Sequence, residues 1–143
     1  MLIAHDWKDA CRIRLEQEGK KCSRQVVGIL PKIREVDEAM TGDLQKRIRE
    51  GHPEVSFFMM NRERPVASPK KTKQCQLERL ALLVPYFPDI ERNLQAEPKA
   101  VSVDILDAFA CLWTAKRIAT NKSKSFPNDK IYDGVGLIME IVA

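Results

Sequence analysis

Apolar and polar positions alternate along this chain with two different periods, and the change between them falls near its middle. From Asp6 to Glu18 the apolar positions Trp7, Ala10, Cys11, Ile13 and Leu15 recur at helical spacing. Asp6 stands where an N-cap would, and Gly19 stands where a helix stops. Ser23 is a second N-cap candidate, followed by Val26, Val27, Ile29 and Leu30. Pro31 should kink this helix or open a new one, after which Ile33, Val36, Ala39 and Met40 keep the helical period. Asp43 is expected to begin a short helix through Leu44, Ile48 and Arg49 that ends at Gly51.

The run Val55 to Met60 breaks that rhythm. Only Ser56 interrupts its apolar residues, and Gly51, Pro53 and Asn61 bound it. This predicts a short strand buried on both faces, opened by Glu54, although periodicity alone does not separate it from a buried helical turn. Arg62 to Thr72 is a polar loop with a basic tip. Thr72 can cap a helix from Lys73 to about Leu83. A shorter helical turn is expected from Pro88 to Leu94, and Ala96 to Ala100 is a connector. Ser102 is expected to cap the most helical stretch, Val103 to Thr120, whose apolar residues run almost all round and predict a buried helix. Gly136 to Ala143 reads as a second buried strand with Glu140 in its middle.

Composition narrows the class. The chain has 143 residues, 44% hydrophobic and 31% charged, enough for one domain spanning 1–143 with one core. No apolar run is long enough to cross a bilayer, and the start is too short and too soon acidic for a signal peptide. The expected location is the cytoplasm. The four cysteines match no zinc or redox spacing and are expected as free thiols. A net charge of +4 is compatible with a polyanionic partner.

Three groups of residues are candidates for chemistry. Asp104 and Asp107 lie three apart on one predicted helix, so they share a face. They read either as hard oxygen ligands for a divalent metal, completed by Glu54, or as a first-turn acid favouring the helix dipole beside a partly exposed neighbour. His52 and Glu54 flank Pro53. They read either as a proton carrier beside a metal ligand or base, or as a turn with local hydrogen bonds. Arg62, Arg64, Lys70, Lys71 and Lys73 are either phosphate contacts or a solvated loop.

Several blocks resemble one family. They are Ser23-Arg24-Gln25, Leu30-Pro31-Lys32-Ile33-Arg34-Glu35-Val36-Asp37, Glu50-Gly51-His52-Pro53-Glu54-Val55-Ser56-Phe57, Ser68-Pro69-Lys70-Lys71-Thr72, Asp104-Ile105-Leu106-Asp107-Ala108 and Gly136-Leu137-Ile138-Met139-Glu140-Ile141. In order and spacing they resemble the family called domain of unknown function 429, whose members are predicted nucleases with a ribonuclease-H-like fold. The resemblance implies an α/β fold, mostly helical here with at least two buried strands. It also implies Mg²⁺ or Mn²⁺ gathered by Glu54, Asp104 and Asp107 to cleave a phosphodiester, with His52 as an accessory. Family members begin with a glycine-aspartate strand and a later aspartate-containing strand, both upstream of the first block here. The resemblance therefore implies a ribonuclease-H-like domain without its first strands and without at least one metal-binding aspartate. Such a chain would be a fragment, a truncated product or one that pairs with another copy over an exposed sheet edge. The expected activity in isolation is weak or none, and the alternative is a non-catalytic nucleic-acid-binding or oligomerising module.

Overall fold

The computed structural model describes residue 4, residues 6–96 and residues 102–143. It is mostly helical, with one two-stranded antiparallel sheet. The chain divides into residues 1–45 and residues 46–143.

In residues 1–45, α1 runs Trp7–Glu18. Asp6 caps it by accepting a hydrogen bond from the Asp9 N–H. It ends at Gly19, whose φ of +68° is a conformation glycine adopts without strain. α2 runs Arg24–Ala39, capped by Ser23. Pro31 lies inside α2, so of the two expected outcomes it does not open a new helix. Ala10, Ile13, Cys22 and Leu30 make the small core that joins α1 to α2. The Trp7 indole donates to the Cys22 carbonyl, and the Arg24 guanidinium lies over the Trp7 ring. α3 spans only Gly42–Gln45. The expected helix through Ile48 and Arg49 does not form, and residues 48–50 carry no regular structure.

In residues 46–143 the largest correction concerns Val55 to Met60. They are not a strand but α4, Pro53–Met60. His52 is its N-cap, Pro53 occupies the first turn and Glu54 places a carboxylate there. Pro53 and Glu54 are helix-start signals, and together they outweigh the strand preference of a short apolar run. The pairing segment lies just before it. Glu50 O accepts from Val142 N at 2.8 Å, and Gly51 bridges Val142 in parallel.

α5 (Lys73–Leu83) is capped by Thr72, α6 is Ile90–Ala96 and α7 is Ser102–Ala119. Ser102, expected as the cap of α7, is its first helical residue. The connector expected after Ala96 lies largely outside the described residues. α4 and α5 both pack on α7, and α4 touches α5. Phe57, Leu83, Ile90, Leu106 and Ala110 form the core between them. α7 is buried along one face rather than all round, since Leu112 on its other side is 47% exposed. Ser56 and Thr114, both buried, share a hydrogen bond of 2.8 Å that ties α4 to α7.

The expected strand from Gly136 to Ala143 shrinks to β2, Ile141–Val142, paired with β1, Ser125–Phe126. Upstream the chain turns instead. The Asp133 carboxylate accepts from the Val135 and Leu137 N–H groups, and Gly136 has a φ of +86°. Glu140, expected in mid-strand, is ion-paired with Arg49. Among the described residues no helix is long and apolar enough to cross a membrane. Cys11, Cys22, Cys75 and Cys111 are free thiols.

Candidate functional site

α4, α5, α7 and the loop before α5 each send one charged side chain to a common point. Glu54 comes from the first turn of α4, and Asp107 from α7. Arg79 comes from α5, and Lys70 from the loop that ends at the Thr72 cap. Arg79 is the centre. Its Nη2 donates to both oxygens of Glu54, at 2.6 and 2.5 Å, and its Nη1 donates to Asp107 Oδ1 at 2.9 Å. Lys70 Nζ lies 2.8 Å from Glu54 Oε1 and 3.3 Å from Asp107 Oδ2. Two cations thus hold two carboxylates in one closed cluster.

Burial makes the arrangement stringent. The Arg79 side chain is 3% exposed, and its guanidinium lies over the Phe57 ring, 4.7 Å from the centroid. A guanidinium so far from water is tolerable only with its charge paired, and Glu54 and Asp107 supply that pairing. Burial pushes the Glu54 carboxyl up, but hydrogen bonds from Lys70 and Arg79, with their charges, outweigh it and hold the group below its ordinary 4.5. The hydrogen bond to Glu54 is the main reason the Lys70 ammonium is held above its ordinary value. Burial pushes the nearby Cys111 thiol up, helped by the charge of Asp107, so it is no ready nucleophile.

The pH dependence follows with a definite sign. Glu54 is lowered, so its share of stability is present above the ordinary carboxylate range and is lost as pH falls through the lowered value. Lys70 is raised, so its share is lost only as pH rises through its elevated value. Urea midpoints are expected to stay level across neutrality and to drop on the acid side, below about pH 4.5. A drop that begins near pH 6 would contradict this.

The other expected residues are placed differently. His52 is exposed, and its Nδ1 accepts from the Glu54 N–H at 3.2 Å. It caps α4 with a local hydrogen bond, whereas the Glu54 side chain reaches Arg79 and Lys70 far along the chain. Asp104 is exposed, and only its partner Asp107 reaches the cluster. Arg62, Arg64, Lys71 and Lys73 are exposed around the cluster's loop, whereas Lys70 is committed to the carboxylates. Arg62 and Glu63 turn the chain sharply with φ of 57° and 58°, and Lys124 holds Glu63 at 2.6 Å. Arg79 itself is absent from the sequence candidates. Its signal was its position: Cys75, Arg79 and Leu83 share one face of α5, and a cation on an apolar face needs a carboxylate partner.

A resident Mg²⁺ or Mn²⁺ does not fit this donor set as it is folded. Among the described residues no three His, Cys, Asp or Glu side chains gather as metal ligands. The two carboxylates that do converge are neutralised by Arg79 and Lys70.

No curated protein and no solved structure matches the chain. A family model described as "Protein of unknown function (DUF429)" matches residues 1–131. A match over that share of the length, with the cluster residues inside it, places the chain in the DUF429 family.

Proposed function

We propose that this chain is a nucleic-acid-binding member of its family, with an ion cluster where a nuclease would carry metal ligands. One observation carries the reading: buried Arg79 binds Glu54 and Asp107 at once, so the carboxylates are committed to an internal cation. Charge supports it. Residues 1–45 hold eight basic and eight acidic residues, whereas residues 46–143 hold sixteen and twelve, so the whole net charge of +4 falls there. From Arg62 to Lys73 the ratio is five basic to one acidic, and that one, Glu63, is paired with Lys124. Ribonuclease-H-like ancestry belongs to the same proposal. It is supported by the family match over residues 1–131 together with the family resemblance of the blocks around Glu54 and Asp107.

The test is binding of a labelled oligonucleotide followed by anisotropy against salt. Affinity is expected to fall linearly on a log–log plot and to be the same with Mg²⁺ or with chelator. Lys71→Glu/Lys73→Glu should weaken binding about tenfold or more and flatten the slope by roughly two phosphate contacts. Binding that is flat with salt, or absent, would overturn the proposal.

A second reading, Mg²⁺- or Mn²⁺-dependent phosphodiester cleavage, is favoured by the convergence of Glu54 and Asp107 on one point. It requires Arg79 and Lys70 to release them. Cleavage of an oligonucleotide by the wild type and not by Asp107→Asn would establish it.

A further inference from the structure

Beside the ion cluster lies a cavity of about 530 Å³. Its apolar walls are Val55 and Phe58 from α4, Pro65 and Val66 from the loop, and Phe126 from β1. Its polar lining is Glu54, Ser68, Lys70 and Arg79. The cavity therefore joins aromatic walls to the ion cluster itself. Its lining carries both aromatic surface and charge, and an occupant should share that division: a flat apolar face and an anion.

The charge balance of the polar lining permits an anion. Arg79 and Lys70 together balance Glu54 and Asp107, so the cluster is neutral and opposes an anion with no net charge. Lys70 has three N–H donors, only two of them directed to carboxylates, and its side chain is half exposed. A phosphate oxygen can take the remaining donor without displacing either partner. Phe58 and Phe126 line the same cavity, and an aromatic ring is a surface that any base can stack on whatever its sequence. The volume falls within the range for one small ligand, so it holds one nucleotide and not a stacked run. Bases inside a duplex are paired and stacked and cannot enter such a recess, whereas an unpaired base can.

We propose that this cavity seats one unstacked nucleotide, its phosphate on Lys70 and its base against Phe58 and Phe126. The inference rests on the nucleic-acid reading and deepens it, because it makes single strands or frayed ends the preferred ligand.

Calorimetric titration with AMP and with ribose 5-phosphate, which lacks the base, tests it on the whole chain. AMP should bind at least about tenfold more tightly than ribose 5-phosphate. Phe126→Leu, which keeps apolar bulk and removes the ring face, should abolish that difference while leaving ribose 5-phosphate unchanged. Phe58→Leu should act in the same direction. Nuclear Overhauser contacts between the adenine protons and the Phe126 ring in the wild type give the same answer without a variant. Equal affinity for the two ligands, or AMP binding unchanged by Phe126→Leu, would overturn the proposal. Failure of the larger reading looks different. Salt-dependent oligonucleotide binding without AMP binding sinks only the cavity assignment. Absence of both sinks the nucleic-acid reading itself.

Discussion

Replacing Arg79 with leucine is expected to cost about 2–4 kcal/mol at pH 7, read as a lowered urea midpoint. The leucine fills much of the space but leaves Glu54 and Asp107 with Lys70 as their shared cation. Breaking a fully buried pair typically costs about 3–5 kcal/mol. The figure here is discounted because the Glu54 and Asp107 side chains are 39% and 20% exposed and water can solvate them. The deficit should shrink in acid, because protonating the uncovered carboxylates removes their repulsion. Arg79→Lys should fall between the two, keeping charge but losing the fork that reaches two carboxylates at once. A leucine variant as stable as the wild type at pH 7 would show that the cluster contributes no stability.

Phe57→Ala is expected to be at least as damaging, about 3–5 kcal/mol. Phe57 is 0% exposed and belongs to the core with Leu83, Ile90, Leu106 and Ala110. Truncation leaves a cavity at the meeting point of α4, α5 and α7, and it also removes the ring beneath Arg79. Against a total stability of roughly 5–15 kcal/mol for a typical domain, that is a large share. Thermal melting should show an early transition in this variant. Phe58→Ala, at a partly exposed position, should cost markedly less. Equal melting temperatures for wild type and Phe57→Ala would place the core elsewhere.

Much of the helical framework was legible, because its signals are local. Asp6, Ser23 and Thr72 cap helices where their side chains suggested, and Gly19 ends α1. The errors came where two local signals competed. His52-Pro53-Glu54 is a helix start written in front of a strand-like apolar run, and the start signals prevailed. The end of the chain was read from its hydrophobicity, whereas Asp133 and Gly136 turn it before β2.

The site was legible in part for the same reason. Glu54 and Asp107 carry an obvious chemical type, and both reach the cluster. Asp104 shares α7 with Asp107 but is exposed, and which of the two reaches the cluster depends on how α7 packs. Arg79 was missed because a lone arginine in a helix is ordinary until its face is known to be buried. Only the packing of α5 on α7 shows that this one must be satisfied by carboxylates.

The most direct test of the account is calorimetric titration of the wild-type chain with Mn²⁺. If Arg79 and Lys70 hold the cation position between Glu54 and Asp107, no saturable binding at that cluster is expected, and Glu54→Gln should leave the titration unchanged. Stoichiometric Mn²⁺ binding that disappears in Glu54→Gln or Asp107→Asn would contradict the account and leave the metal-dependent reading in its place.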